Sequence, residues 1–466
     1  MSAPAARAEL EALLRAALAA VAGGRRVREA LRAEGGTLSI AGRPVPREAR
    51  LVVAAAGKAA AEMAAAFEEV AGPRIARGWL VTRPGHADAA VAAGRLPAER
   101  WTVREAGHPV PDARSEAAAR ELLALAAATG PGDVLVLLLS GGASALLACP
   151  QPGLGLADLA GATRALLACG AAIDEVNAVR KHLVEVAGGR LARAAGAGRI
   201  EVLALSDVPG DRLDVIGSGP CVPDPTSFAD ALAVLKRHRV GAAFPPAARA
   251  HLEAGARGER PESPKPGDPA FARVHATVLA GNRDALAAAA DAARRRGLSV
   301  VTLPGALRGE ARTMGRRLAA LAQAVRSSRR TLLLAGGETT VTLSDVAAPG
   351  RGGRSQELAL AAALALRGDG RVTLLAAGTD GSDGPTDAAG ACVDGRTVER
   401  GARAGLDAAA ALARHDSHSF FAAEGGLLRT GPTGTNVMDL VLALVEPGPA
   451  GAPAPNLPIP PASESV

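Results

Sequence analysis

Asp380, Asp383 and Asp387 fall within eight residues of one another in the block Gly378-Thr379-Asp380-Gly381-Ser382-Asp383-Gly384-Pro385-Thr386-Asp387. Glycines and a proline separate them, so neither a helix nor a strand can run through. The apolar run at residues 372–375 comes just before, which places the block at the carboxyl edge of a sheet, where α/β proteins bind ligands. That much negative charge in one turn calls for a cation, basic groups or open water. The chemistry this combination fits is Mg²⁺-dependent phosphoryl transfer.

Three further strand-like runs end in glycine-rich loops that open helices. Residues 134–139 lead into Ser140-Gly141-Gly142-Ala143-Ser144, residues 275–279 into Ala280-Gly281-Asn282, and residues 331–334 into Gly336-Gly337-Glu338-Thr339. Glycine lets the backbone approach an anion closely, and the free amides of a helix start point toward it. Any one of these loops could equally be a tight turn. Lys58 sits in a fourth strand-to-helix loop, Ala56-Gly57-Lys58-Ala59, where an ammonium can clamp a phosphate as a point charge. This is not a Walker A loop, because Val52 and Ala59 occupy its Gly and Ser/Thr positions. Asp207 follows the run at 202–205 and is placed to ligate a metal or accept a hydroxyl proton, or to close an ordinary turn. Arg354 stands on a glycine loop before a helix, where a guanidinium could hold a carboxylate or phosphoryl group bidentately.

Other chemistries fail on spacing. The aspartates miss the one-three-five pattern of an EF-hand. His415 and His418 lack an intervening Glu and further ligands, and suit a surface helix end better than zinc. No G-x-S-x-G elbow occurs, and no G-x-G-x-x-G follows a strand.

The elements that must carry these loops alternate in type. Apolar runs at 51–55, 79–81, 134–139 and 202–205 interleave with helical runs at 58–70, 115–127, 142–147 and 156–168. A second series follows at 275–279, 299–303, 331–334, 341–343 and 372–375, with a last helix or strand at 437–444. Residues 5–22 read as an amphipathic helix. The 466 residues divide into domains at 1–245 and 273–446, joined by a Pro-, Gly- and charge-rich connection at 246–272 and ending in a disordered tail at 447–466. The net charge of +6 invites a nucleic-acid reading, but the bases are scattered and almost no aromatics interleave with them. Anionic small substrates are the better use of that charge, and no nucleic acid is expected. Nearly all of it is Arg; Lys occurs only at 58, 181, 236 and 265, which singles out Lys58 and Lys181, with the last two as surface positions. The four cysteines show no C-x-x-C pairing, and no apolar run of spanning length occurs. A cytoplasmic protein that does not enter the membrane is therefore expected.

As an ordered set, these motifs resemble the class II glycerate 2-kinases, whose carboxy-terminal part is called the MOFRL domain. The resemblance rests on Ala56-Gly57-Lys58-Ala59-Ala60, the stretch Glu105 to Asp112, Ser140 to Leu146, Asn177-Ala178-Val179-Arg180-Lys181-His182-Leu183, Ser206 to Asp211, Gly217 to Pro220, Gly336 to Val341, Gly353 to Leu358, the aspartate block, and Thr430 to Asp439. It covers roughly residues 5 to 445. It implies a Rossmann-like amino-terminal domain and an α/β carboxy-terminal domain with an interdomain cleft. It further implies transfer of the γ-phosphoryl group of ATP, with Mg²⁺, to the 2-hydroxyl of D-glycerate, with a homodimer allowed for. By position, Lys58 and Arg354 would stabilise the transferring group, and Asp207 would support the metal or the hydroxyl. Ser140, Gly141, Gly142, Ser144, Asn177 and Lys181 would hold substrate or phosphate. Gly336, Gly337, Glu338, Thr339, Asn282, Thr379, Asp380 and Gly381 would bind nucleotide, and Asp383 and Asp387 metal. The resemblance leaves open how Glu338 and the three aspartates divide among nucleotide, metal and structural roles. The alternative enzyme class is an NAD(P)H-dependent hydroxypyruvate reductase, against which the missing dinucleotide fingerprint argues. A non-catalytic phosphate- or sugar-binding regulator would be expected to have lost the key charged groups, yet Lys58, Asp207, Arg354 and Asp380 are all present.

Overall fold

The computed structural model describes residues 3–343 and 348–447. The expected tail therefore lies, beyond residue 447, outside the described residues. Two compact units emerge: Gly23–Leu279 forms one, and residues 3–22 with those from 280 onward form the other.

The first unit opens with a small antiparallel sheet of β1 (Leu31–Glu34), β2 (Thr37–Ile40) and β3 (Arg43–Val45). Its main sheet holds β4 (Leu51–Ala56), β5 (Ile75–Thr82), β6 (Trp101–Glu105), β7 (Val134–Leu139), β8 (Arg199–Leu205) and β9 (Val274–Ala280). The spatial order is β6-β5-β4-β7-β8-β9, and β4 through β8 run parallel. β4 reads LVVAAA and β7 VLVLLL, and every residue of both is buried. Continuous apolar runs of this kind mark central parallel strands covered on both faces. The chain leaves β4 toward β5 on one side, and β7 toward β8 on the other. The carboxyl ends of β4 and β7 thus form the switch point at which ligands bind in doubly wound sheets.

The second unit contains β10 (Ser299–Thr302), β11 (Thr331–Gly337), β12 (Val372–Gly378), β13 (Gly390–Asp394), β14 (Leu427–Leu428) and β15 (Asp439–Val445). The order is β10-β11-β15-β12-β13-β14, and only the β10/β11 pair is parallel. β15 inserts antiparallel between β11 and β12, which settles the segment near 437–444 as a strand. The helix Ala3–Ala20 belongs to this unit: it packs on the helix Asn282–Arg295, and Arg7 donates to the carbonyls of Gly425 and Leu427 at 2.8 Å each.

Two expectations change. Residues 341–343 are not a strand; Thr342 instead bonds to the Glu310 side chain through its hydroxyl and amide. Residues 246–272 are more than a surface connection, since the helix Pro246–Ala256 buries Ala248, His251 and Leu252.

Candidate functional site

Lys58 lies two residues past β4, and its loop is clasped by the loop after β7. The Lys58 amide donates to the Gly141 carbonyl at 2.9 Å, the Ala59 amide to Ser140 Oγ at 3.1 Å, and the Ser140 amide to the Ala56 carbonyl at 3.0 Å. Gly57 makes this fit possible: its φ is +125°, and a Cβ there would stand 2.4 Å from the Ser140 carbonyl oxygen. Gly142 has φ +88°, and a Cβ on it would fall 2.9 Å from His108 Nε2 and 3.4 Å from Lys58 Cγ. The Lys58 stem, the His108 ring and an open stretch of backbone therefore converge at the switch point. Ser144 Oγ is 2.9 Å from Ser218 Oγ, which ties this loop to the turn Ile216–Ser218. Asp207, half-buried, follows β8 on the same carboxyl edge; the Ser206 hydroxyl fixes its turn through Val208.

The helix Ile173–Leu183 packs against that same turn. It carries Asn177, which is buried, and three consecutive bases. Lys181 is almost fully buried, with Nζ 3.2 Å from Asp214 and 3.3 Å from Asp224. Its charge is matched twice inside the protein. Lys265, expected on the surface, is half-buried and donates to the Thr226 carbonyl and, at 2.7 Å, to Ser263 Oγ.

In the second unit the polar groups gather where β11, β15 and β12 lie side by side. Asp439, the first residue of β15, pairs with Gly337 on one side and Gly378 on the other. Its carboxylate receives Arg354 bidentately, Nε at 2.6 Å and Nη2 at 3.0 Å, and Glu338 takes the remaining guanidinium nitrogen. Burial opposes the Arg354 charge, but Asp439 and then Glu338 outweigh it and hold the guanidinium well above its ordinary pKa. Asp383 spends its carboxylate on the start of the helix Arg354–Ala365, accepting from the Ser355 amide at 3.0 Å, the Gln356 amide at 2.8 Å and Gln356 Nε2 at 3.0 Å. Burial, reinforced by the Asp439 charge, pushes this carboxyl up to about 6 against those donors.

The remaining expected nucleotide residues frame this edge. Asn282 Nδ2 donates to the carbonyls of Val437 at 2.8 Å and Asp439 at 3.1 Å, and Gly336 packs directly on its side chain. Thr379 is buried; its hydroxyl donates to the Met438 carbonyl at 2.6 Å and accepts from the Val437 amide at 2.8 Å. Thr339 is buried beside Glu338, Asp380 accepts from the Ser382 amide and hydroxyl, and Gly381 lies against the Gly431 carbonyl. Asp387 stands apart from Asp383: it is exposed and pairs with Arg429 at 2.9 Å and His418 at 3.1 Å. His415 and His418, expected at a surface helix end, are both buried, and His415 Nδ1 lies 2.8 Å from Glu357. Among the described residues no three His, Cys, Asp or Glu side chains form a metal cluster, and no helix is long and apolar enough to cross a membrane.

Residues 331–439 match the MOFRL family, and residues 9–253 match a family described as a domain of unknown function, DUF4147. The D-glycerate 2-kinase of Thermotoga maritima is 40% identical over 401 residues, which span 85% of this chain and 91% of that protein. The chain belongs to the glycerate kinase family. A crystal structure of a glycerate kinase from Thermotoga maritima covers 95% of this chain with a TM-score of 0.75 at 36% identity, and is itself covered completely. A protein of Agrobacterium vitis named a putative hydroxypyruvate reductase is also similar, at 44% identity over 85% of this chain and 87% of its own length.

In this glycerate kinase family member the expected residues form two sets, one per unit. Lys58, Ser140 to Ser144, Asn177 and Asp207 share the parallel sheet's carboxyl edge and the helix tied to it. Glu338, Arg354, Asp380 and Asp383 share the junction around β15. Sequence reasoning gave no role to Asp439, His108 or Arg180. Asp439 closes the Thr430–Asp439 motif and His108 lies in the Glu105–Asp112 motif, so both carried a signal of position without one of role.

Proposed function

We infer that the protein is a glycerate 2-kinase that transfers the γ-phosphoryl group of ATP to the 2-hydroxyl of D-glycerate. The observation that carries this reading is the clasp of the Lys58 loop by the Ser140–Ser144 loop at the switch point, in a chain related over most of its length to a D-glycerate 2-kinase. Phosphoryl transfer asks a protein mainly for position and charge. Lys58 supplies a cation, and the backbone of Gly141 and Gly142 lets phosphate oxygens come close. Asp207 accepts the proton of the 2-hydroxyl as its oxygen forms the new bond to phosphorus, while the bond from phosphorus to the leaving ADP oxygen breaks. Arg354, whose guanidinium Asp439 holds at two nitrogens, is a cation for phosphate oxygens. The residues at the ends of β11 and β12, with Asn282, receive the nucleotide.

Mg²⁺ usually takes one or two carboxylates and completes its shell with phosphate oxygens and water. On the carboxyl edge beside the Lys58 loop, Asp207 is the carboxylate that would hold the ion or accept the hydroxyl proton, while Asp383 caps the helix Arg354–Ala365 and Asp387 pairs with Arg429 and His418. When bound, the ion neutralises phosphate charge.

The reductase name attached to the Agrobacterium vitis relative supplies the second reading. The loop after β4 reads Ala56-Gly57-Lys58, without the glycine pattern that lets a dinucleotide pyrophosphate approach. Parallel assays separate the two: ADP release dependent on D-glycerate is expected, and oxidation of NADH dependent on hydroxypyruvate is not. The converse pattern would replace the kinase with the reductase.

A further inference from the structure

The last turn of the helix Ile173–Leu183 places three bases in a row, and the protein answers two of them. Lys181 meets Asp214 and Asp224, and His182 Nε2 lies 2.9 Å from Glu262. Arg180 meets no carboxylate among the described residues. Its contact is one long bond, 3.5 Å, from Nη1 to the Asn177 side-chain oxygen one turn earlier. The side chain is nonetheless half-buried, and burial pushes its pKa down. A guanidinium withdrawn from water is costly unless an anion or several hydrogen-bond acceptors replace its hydration. Arg180 differs from the half-buried Arg190, whose guanidinium donates to the Lys181 and Ala187 carbonyls, in having one long bond to a neutral amide oxygen. Arginine suits a carboxylate, since its planar fork meets both oxygens at once.

The surroundings put this vacant valence next to the reaction edge. The helix packs on the turn Ile216–Ser218, and Ser218 Oγ bonds Ser144 Oγ in the loop that clasps Lys58. Asp214, which fixes Lys181, belongs to the same segment that leaves β8 through Asp207. Lys181 cannot itself serve an incoming acid without breaking a buried pair of salt bridges. Arg180 can.

We propose that Arg180, oriented by Asn177, binds the carboxylate of the acceptor substrate and so selects a 2-hydroxy acid over a neutral polyol, while Lys181 holds the helix in place. This rests on the glycerate kinase reading above. With the carboxylate fixed, the 2-hydroxyl on the adjacent carbon has a defined position relative to the anchor, and a substrate without that charge loses its orientation.

Steady-state kinetics of the wild type, Arg180→Gln and Arg180→Lys with D-glycerate and its neutral amide, D-glyceramide, test this. In Arg180→Gln the KM for D-glycerate is expected to rise about 100-fold or more, with the KM for ATP within about threefold of the wild type. The wild-type preference for D-glycerate over the amide should fall at least about tenfold, which a merely structural defect would not produce. Arg180→Lys, which keeps the charge but loses the fork, should show an intermediate KM at unchanged thermal stability. If the glutamine variant does not fold, the lysine variant decides. A D-glycerate KM within about threefold of the wild type, in the glutamine variant or in a lysine variant standing alone, overturns the assignment while leaving the kinase intact. Absence of D-glycerate turnover in the wild type overturns the kinase reading and the anchor with it.

Discussion

Lys58 and Arg354 are held in opposite ways. The backbone of Lys58 is pinned, through its amide to Gly141 and its carbonyl to the His86 ring at 3.1 Å, while its side chain rises past Gly142. Arg354 is pinned at the guanidinium, on Asp439 and Glu338. A group that is to stabilise developing charge must be in position before the reaction, and the roles proposed for Lys58 and Arg354 suit these two ways of holding a cation. Lys58→Ala and Arg354→Ala are each expected to lower kcat by about 100-fold or more at near-normal thermal stability. Near-normal turnover in either variant would remove that residue from the transfer step. Lys58 stood out in the sequence because it follows an apolar run in a chain otherwise rich in Arg. Asp439 did not, since an Asp at the start of an apolar run looks like a strand boundary until the strand is seen between Gly337 and Gly378.

At the scale of elements, the aspartate block shows how one motif divides its work. Asp383 caps a helix from a distance of almost thirty residues in sequence, a tertiary contact that no local spacing announces. Its carboxyl is raised from an ordinary 3.8 to about 6. Between those values the folded protein keeps a proton that the unfolded chain has released. The stabilisation linked to that proton is therefore complete below about pH 4 and is lost as pH rises past 6, on the order of 3 kcal/mol in all. Thermal melts between about pH 4 and pH 7 should show the wild type losing stability relative to Asp383→Asn across this window. Parallel slopes in the two proteins would contradict the assignment. Central strands were legible because complete burial writes them as unbroken apolar runs, as in β4 and β7. β13 was not, because Gly390, Ala391 and Cys392 are small residues that continue a glycine-rich block, and β14 has only two residues. The apolar residues at 341–343 suggested a strand, but the chain there finds its partner in a Glu310 side chain.

At the scale of the whole molecule, the sequence order hides one fact about the units. The helix Ala3–Ala20 is the first in the chain, yet it completes the unit built from residue 280 onward. Glu9 pairs with Arg330, Arg7 reaches Gly425 and Leu427, and Thr435 Oγ1 donates to the Val21 carbonyl at 2.7 Å. The amphipathic pattern revealed the helix; nothing local could reveal its partner. Deleting residues 1–22 should destabilise the unit from residue 280 onward and leave Gly23–Leu279 folded. Hydrogen exchange would show faster amide exchange in β11, β12 and β15 with little change in β4 and β7; equal effects on both sheets would contradict this division.

What defines a glycerate 2-kinase is which oxygen receives the phosphoryl group. ³¹P and ¹³C NMR of the product formed from D-glycerate, ATP and Mg²⁺ reads this directly. A phosphate ester on carbon 2 is expected. An ester on carbon 3, or no ester at all, would contradict that assignment.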